Sequence, residues 1–329
     1  PTGHTDTLEV AARRAVLTGV NQTGAKLQVA RADEMGVEFF ETTAHGGARP
    51  SHAEWQGRQF HRGGAVDYMG KHYPDFEAAT GYGTGAGLCG WNCRHTFFAI
   101  FPELGAPPAW TQADLEALNA RDIEYNGGKY TRYEISQMQR ARERTVRKYK
   151  RRYLAEDAAG ADTTASAVKL RQARQELTDF ISATGGRADS ARTSVAGFGR
   201  SEAGKASYTA RKQERFDSAN VELQQMREAG TIKAKGKLIE SPPAPNEINF
   251  ASEHVLQRWA ERGMGPMDAE RIIRSSKVAM SQRNGTQTCY YSEYGFVAIG
   301  QNGNVSSIGP LDEGGQKLME VVKKHGIPH

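Results

Sequence analysis

The spacing of apolar positions lays out a row of elements. Leu8, Ala11, Ala15, Val16, Val20, Leu27 and Ala30 recur close to one helical face over residues 5–36, with Gly19 and Gly24 as weak points, and predict an amphipathic, packed helix. Residues 37–42 then read as a short strand, and the β-prone run 95–101 is suited to pair with it. Thr111 is placed to cap a helix through Asn119, and Asn126-Gly127-Gly128 marks a hairpin within 123–133. Residues 133–159 lack Gly and Pro and carry Ile135, Met138, Val146, Tyr149, Tyr153 and Leu154 for a packed side, which predicts a long helix stopped at Gly160. A second helix follows over 164–184, closed by Gly185-Gly186.

Beyond it the pattern weakens. Residues 185–250 are dominated by Gly, Ser, Ala, Arg and Lys, with one helix expected over 208–229, and the Ser-Pro-Pro-Ala-Pro run at 241–245 reads as an extended spacer. Residues 248–329 read as a separate module with helices over 252–262, 267–275 and 313–324 and strands over 286–292, 295–299 and 305–308. The fold class expected is α+β, organised as 1–130, a basic helical region and linker at 131–240, and a small domain at 246–329.

Composition narrows the function classes. No stretch of eighteen apolar residues occurs and no charged leader precedes a short hydrophobic core, so neither a membrane span nor a secretory signal is expected. Three cysteines are too few for a disulfide scaffold and fit a reducing cytoplasm. The net charge of +5 is unevenly spread: Lys plus Arg against Asp plus Glu is 11 to 15 over 1–130, 23 to 13 over 131–239, and 9 to 10 over 240–329. The basic excess thus lies in the middle, where Arg147, Lys148, Arg151 and Arg152 make the densest group and point to a polyanionic partner, packaged DNA or an acidic protein surface.

The sharpest signal is Thr-Gly-Tyr-Gly-Thr-Gly-Ala-Gly-Leu-Cys-Gly-Trp-Asn-Cys-Arg-His at 80–95, with five glycines and two cysteines in sixteen residues. Such a composition excludes a regular helix and predicts a tightly folded loop. An irregular segment at 42–57 supplies His45, Arg49, His52 and Trp55, and the two are expected to close on each other, setting His52 near Cys93 and His95, with Trp91 and Arg94 in the same cluster. Three readings stand for these residues. They fill space and satisfy hydrogen bonds; or His52, Cys89, Cys93 and His95 bind a structural zinc, although the spacing is not that of common zinc modules; or a Cys/His pair acts as nucleophile and base.

The ordered motifs Arg-Pro-Ser-His-Ala-Glu-Trp-Gln-Gly and Gly-Trp-Asn-Cys-Arg-His resemble the phage minor capsid protein family, relatives of the Mu F-type head morphogenesis proteins, over about residues 5–153. The resemblance implies a virion head protein made in the host cytoplasm and attached near the portal vertex, with portal and major capsid proteins and packaged DNA as partners, DNA being bound without sequence preference. No cofactor is implied. Because the family usually carries helices upstream, Pro1 implies a processed or trimmed chain.

Ser-Glu-His-Val-Leu-Gln-Arg-Trp-Ala-Glu-Arg-Gly, with the helix and meander after it, resembles the small toxin nucleases related to barnase, RelE and colicin nucleases. His254, Arg258 and Arg262 fall at i, i+4 and i+8 of the expected helix. That resemblance implies metal-independent RNA cleavage, with His254 as acid or base, Arg258, Arg262 and Arg283 holding phosphate, and Tyr290 or Ser307 positioning. It also supplies a different reading of the whole, an injected or secreted effector with a ribonuclease domain. The bland alternative pairs the arginines with Glu261 or Asp268 at the surface.

Overall fold

The strand expected after the first helix becomes the middle of a three-stranded antiparallel sheet. Phe39–Thr42 (β1) lies between Gln59–His61 (β2) and Phe97–Ala99 (β5), with Phe40 opposite both Phe60 and Ala99. Every side chain in Phe40–Thr42 is buried, so the apolar positions of β1 meet aromatic partners while Glu41 is held by Gln59 Nε2 at 2.7 Å and by the Ala109 amide at 2.8 Å. The computed structural model describes residues 8–245, 247–250, 256–257, 259 and 261–328. Two compact units emerge, Pro1–Arg144 with Glu176–Asp189, and Thr145–Gln175 with Ser190–His329.

In the first unit, Leu8–Met35 (α1) is helical as expected but turns a different face inward. Leu8, Val16, Val20 and Leu27 are between 62% and 84% exposed, whereas Ala25 and Ala32 are buried and Val29 packs beside them on the core of Phe40, Phe60, Phe76 and Phe97. The spacing 25, 29, 32 is as helical as the apolar stripe read from sequence. Small side chains win because they let the helix approach a sheet already filled by interlocking aromatic rings. Val66–Tyr68 (β3) and Lys71–Tyr73 (β4) form a hairpin, and Phe76–Thr80 (α3) leads into the glycine-rich loop. Gln112–Leu118 (α4) carries the capping box Thr111/Asp114, and Ile123–Tyr125 (β6) pairs with Gly128–Tyr130 (β7) through an Asn126-Gly127 turn with φ of 46° and 77°.

The helices Arg132–Ala158 (α5) and Thr164–Thr184 (α6) match expectation closely, and the division between units falls within both. In the first unit, the Arg142 guanidinium lies 4.1 Å from the centre of the Phe180 ring, and Gln139 donates to the Arg187 carbonyl at 2.9 Å.

The second unit is built on a five-stranded antiparallel sheet, a simple meander whose strands lie side by side in chain order. Its strands are Lys237–Glu240 (β8), Val278–Gln282 (β9), Gln287–Ser292 (β10), Gly295–Gly300 (β11) and Val305–Gly309 (β12). Alternate residues divide between two cores. Val278, Met280, Cys289, Tyr291 and Ala298 pack with Phe216, Leu223, Leu318 and Val322, while Ala279, Tyr290, Val297 and Ile299 pack with Trp259, Ile272 and Ile273. Helices Arg200–Glu228 (α8) and Glu313–Lys324 (α10) therefore cover one face and Pro266–Ser275 (α9) the other. A short helical turn, Ser190–Thr193 (α7), precedes α8.

Two elements give residues 185–250 more structure than the single helix and linker expected there. Helix α8 begins at Arg200, eight positions before the expected start, and buries Ala206, Ala210, Phe216, Ala219 and Leu223. Strand β8 pairs with β9 along its whole length and puts Leu238 fully inside. Of the small residues that imitated a linker, Ala206, Ala210 and Ala219 form part of the buried face of α8, whereas Gly204 and Ser218 stay open to solvent.

Candidate functional site

The two irregular segments of the first unit are folded together. Pro50 starts a one-turn helix, Pro50–Ala53 (α2), that turns His52 inward to 2% exposure. The glycine loop leaves α3 through Gly81 in the left-handed region and then doubles back on itself. A Cβ at Gly87 would stand 2.0 Å from the Gly81 carbonyl oxygen, and one at Gly90 would stand 2.4 Å from that of Gly85, so only glycine permits these crossings. Cys89 and Asn92 take φ of 59° and 54°, an uncommon conformation for side-chain-bearing residues, and the turns they make aim Cys93 toward His52.

Hydrogen bonds lock the segments. Arg49 Nη2 donates to the Trp91 carbonyl at 2.6 Å, His52 Nε2 meets the Ala86 carbonyl at 2.9 Å, and Asn21 of α1 donates to the carbonyls of Cys93 and His95 at 3.1 and 3.3 Å. The rings form a stack: His45 lies on His95 at 4.2 Å, Trp55 meets His95 edge-on at 4.8 Å, and His52 sits 4.5 Å from Trp55. Gln56, fully buried, accepts through Oε1 from the His45 amide at 3.1 Å and faces His95 Nε2 at 3.0 Å. The Cys93 sulfur stands 3.8 Å from His52 Nδ1 and 3.6 Å from His95 Nδ1. Cys89 Sγ instead donates to the His95 carbonyl at 3.5 Å.

Burial sets the protonation of this cluster. It holds His95 down to about 3, aided by His45, His52 and the two nearby guanidiniums, and it lowers His45 and His52 as well. The same burial pushes the Cys89 thiol up to about 12 and raises Cys93, although Arg49 and Arg94 pull the latter back. A raised thiol among neutral imidazoles is the reverse of an activated nucleophile, which needs a depressed thiol and an exposed sulfur. Of the expected cluster, His45, His52, Trp55, Cys93 and His95 come together; Arg49 reaches the group through Trp91, whose own side chain is 61% exposed, and Arg94 is exposed. Gln56 was missed, although it lies four residues after His52 in the Trp-Gln-Gly run.

In the basic region the cations divide. Arg147 donates to the Arg192 carbonyl, Arg152 pairs with Glu156 at 2.7 Å, and buried Lys150 donates to the Thr193 carbonyl at 2.6 Å with its ammonium 5.3 Å from the Phe198 ring. Arg151 is half-buried and Lys148 is exposed. Part of the positive charge thus anchors the segment between α6 and α8.

His254 and Arg258 lie outside the described residues. Arg262 donates to the Ile308 carbonyl, at the end of β12 that aligns with Tyr290, whereas Arg283 follows β9 beside Gln287, at the opposite end of β10. Tyr290 is buried, with its hydroxyl donating to the Pro243 carbonyl at 3.3 Å. Arg262 and Arg283, two of the three expected clamp residues, therefore lie toward opposite ends of the sheet, and the Tyr290 ring packs in the core. Ser307 is half-buried on β12, opposite Ala298.

Residues 1–182 match the family model of phage minor capsid protein 2, a span that holds the whole interlocked pair of loops and runs nearly to the end of α6. The chain belongs to that family. As a phage minor capsid protein it is a phage head protein and a component of the virion. No curated protein and no solved structure matches it. The five-stranded unit lies mostly beyond the matched residues. No helix among the described residues is long and apolar enough to cross a membrane.

Proposed function

We propose that this minor capsid protein sits near the portal vertex, binds portal and major capsid proteins, and takes part in head assembly or in DNA packaging and ejection. The observation that carries this reading is the coincidence of the family match with the interlocked loops. Ordering two long irregular segments against their conformational entropy is worthwhile where a rigid surface must meet a fixed partner. Packaged DNA is the second partner in this reading, met without sequence preference through the exposed members of the basic helices, Lys148 among them.

The test is location. An asymmetric reconstruction of intact particles, or gold labelling of an epitope carried by the chain, should place it at a single vertex. Distribution over all vertices, or absence from purified particles, overturns the proposal.

A further inference from the structure

Three lone pairs converge between the loops. Because Gln56 Oε1 accepts the His45 amide proton, the His95 Nε2 facing the same oxygen must donate, which leaves the lone pair of that neutral ring on Nδ1. The Ala86 carbonyl fixes the same tautomer in His52. Both Nδ1 atoms then present bare nitrogen to the Cys93 sulfur, and the three atoms all lie within 4.8 Å of one another. One thiol proton serves only one of the two nitrogens. The other is left facing sulfur inside the protein, an unsatisfied arrangement when nothing fills it.

A four-coordinate zinc resolves this arrangement. With Zn–S of about 2.3 Å and Zn–N of about 2.0–2.1 Å, tetrahedral sulfur and nitrogen ligands stand roughly 3.5 Å apart and two nitrogens about 3.3 Å apart; the observed S–N separations are 3.6 and 3.8 Å, and the two nitrogens, within 4.8 Å of each other, draw together on the ion. Metal-bound imidazoles characteristically donate their second N–H to a carbonyl or carboxylate, as His52 does to Ala86 and His95 does to Gln56. We propose that His52 Nδ1, Cys93 Sγ and His95 Nδ1 bind one zinc ion that pins the 42–57 segment to the 80–95 loop. Binding releases the Cys93 thiol proton to solvent, and the thiolate offsets one of the two positive charges beside Arg49 and Arg94. Cys89, engaged with the His95 carbonyl, is not a ligand, so water completes the shell. The proposal is independent of where the chain sits in the head.

The experiment uses the full, untagged chain. Metal analysis after dialysis should find one zinc per chain. After chelation, titration with cobalt should produce thiolate-to-cobalt charge transfer and the intense visible bands of a four-coordinate ion, saturating at one equivalent. Cys93→Ser should abolish the charge-transfer band, and Gln56→Leu, which removes a supporting acceptor, should weaken binding by about 10–100-fold. Should either variant fail to fold, the unaltered chain still decides: zinc should shield Cys93 from a thiol reagent. A folded chain that binds neither metal, or a Cys93→Ser protein with an unchanged cobalt spectrum, overturns the site.

Discussion

Arg49 and Trp91, forty-two positions apart, are joined by a guanidinium-to-carbonyl hydrogen bond of 2.6 Å that closes one irregular segment over the other. Arg49→Ala should lower the stability of the first unit by about 0.5–1.5 kcal/mol, because an exposed charged donor to the Trp91 carbonyl is replaced by water. Urea unfolding reads the loss, and faster amide exchange across residues 80–95 should accompany it. A variant with parental exchange rates in that loop would mean the bond does not hold the closure.

The glycine crossings separate two kinds of substitution. At Gly87 an added methyl meets the Gly81 carbonyl, whereas at Gly83, with φ of +88°, it meets nothing within 4 Å. Gly83→Ala should cost about 1–2 kcal/mol for the backbone conformation alone. Gly87→Ala should cost clearly more and disturb the near-ultraviolet signal of Trp55. Equal melting temperatures for the two variants would count against the crossing.

Cations of the basic helix should behave unequally. Lys150→Met removes a buried donor from the Thr193 carbonyl and should destabilise by about 1–3 kcal/mol, while Lys148→Met, at an exposed position, should stay within about 0.5 kcal/mol. Thermal unfolding of the pair checks this.

The same division bears on DNA. Replacing Arg147, Lys148, Arg151 and Arg152 together by Gln should weaken binding and flatten the logarithmic salt dependence by about 0.9 for each phosphate that is no longer neutralised. Lys148→Gln alone should retain most of the slope. Binding that is insensitive to salt in the parent protein would remove DNA as the partner of this region.

Acid should loosen the second unit at Glu222. Its carboxylate accepts from Lys324 Nζ at 2.8 and 2.9 Å and from His325 Nε2 at 2.8 Å, and these bonds hold it below its ordinary value of 4.5. A carboxyl depressed by folding contributes stability that is complete above the unfolded value and is lost as pH falls through the folded one. The stability difference between the parent and Glu222→Gln should therefore be at most about 1 kcal/mol at neutral pH and shrink in acid. A difference that grows in acid would contradict the assignment.

Much of this was legible in the residues because local chemistry and tertiary demand agreed. The helix cap at Thr111, the Asn126-Gly127 turn, the glycine-bounded helix α6 and the closing helix α10 each carry a local cause that survives in the fold. Glycine density marked the loop at 80–95, and its partner was near enough in chain order to be paired with it. Other features were hidden. Strand β8 is four residues long within a Lys-rich stretch, and β9 lacks a turn signal strong enough to separate it from α9. The face of α1 that packs is built on Ala25 and Ala32 with a single Val29 between them, a stripe that hydrophobic patterning ranks below the exposed Leu and Val. The role of Gln56 depends on His45, His95 and Asn119, from three stretches of the chain, which no local pattern records.

The pairing of β8 with β9 bears on where the chain tolerates being cut. A fragment beginning at residue 246 would lose Lys237–Glu240 and all of α8, leaving the hydrogen-bonding edge of β9 open and uncovering Val278, Met280 and Cys289. An open edge beside an apolar face recruits any extended strand it meets. Proteolysis after β8, within residues 241–245, would thus liberate a self-associating tail, and an independently soluble C-terminal piece has to start before Arg200.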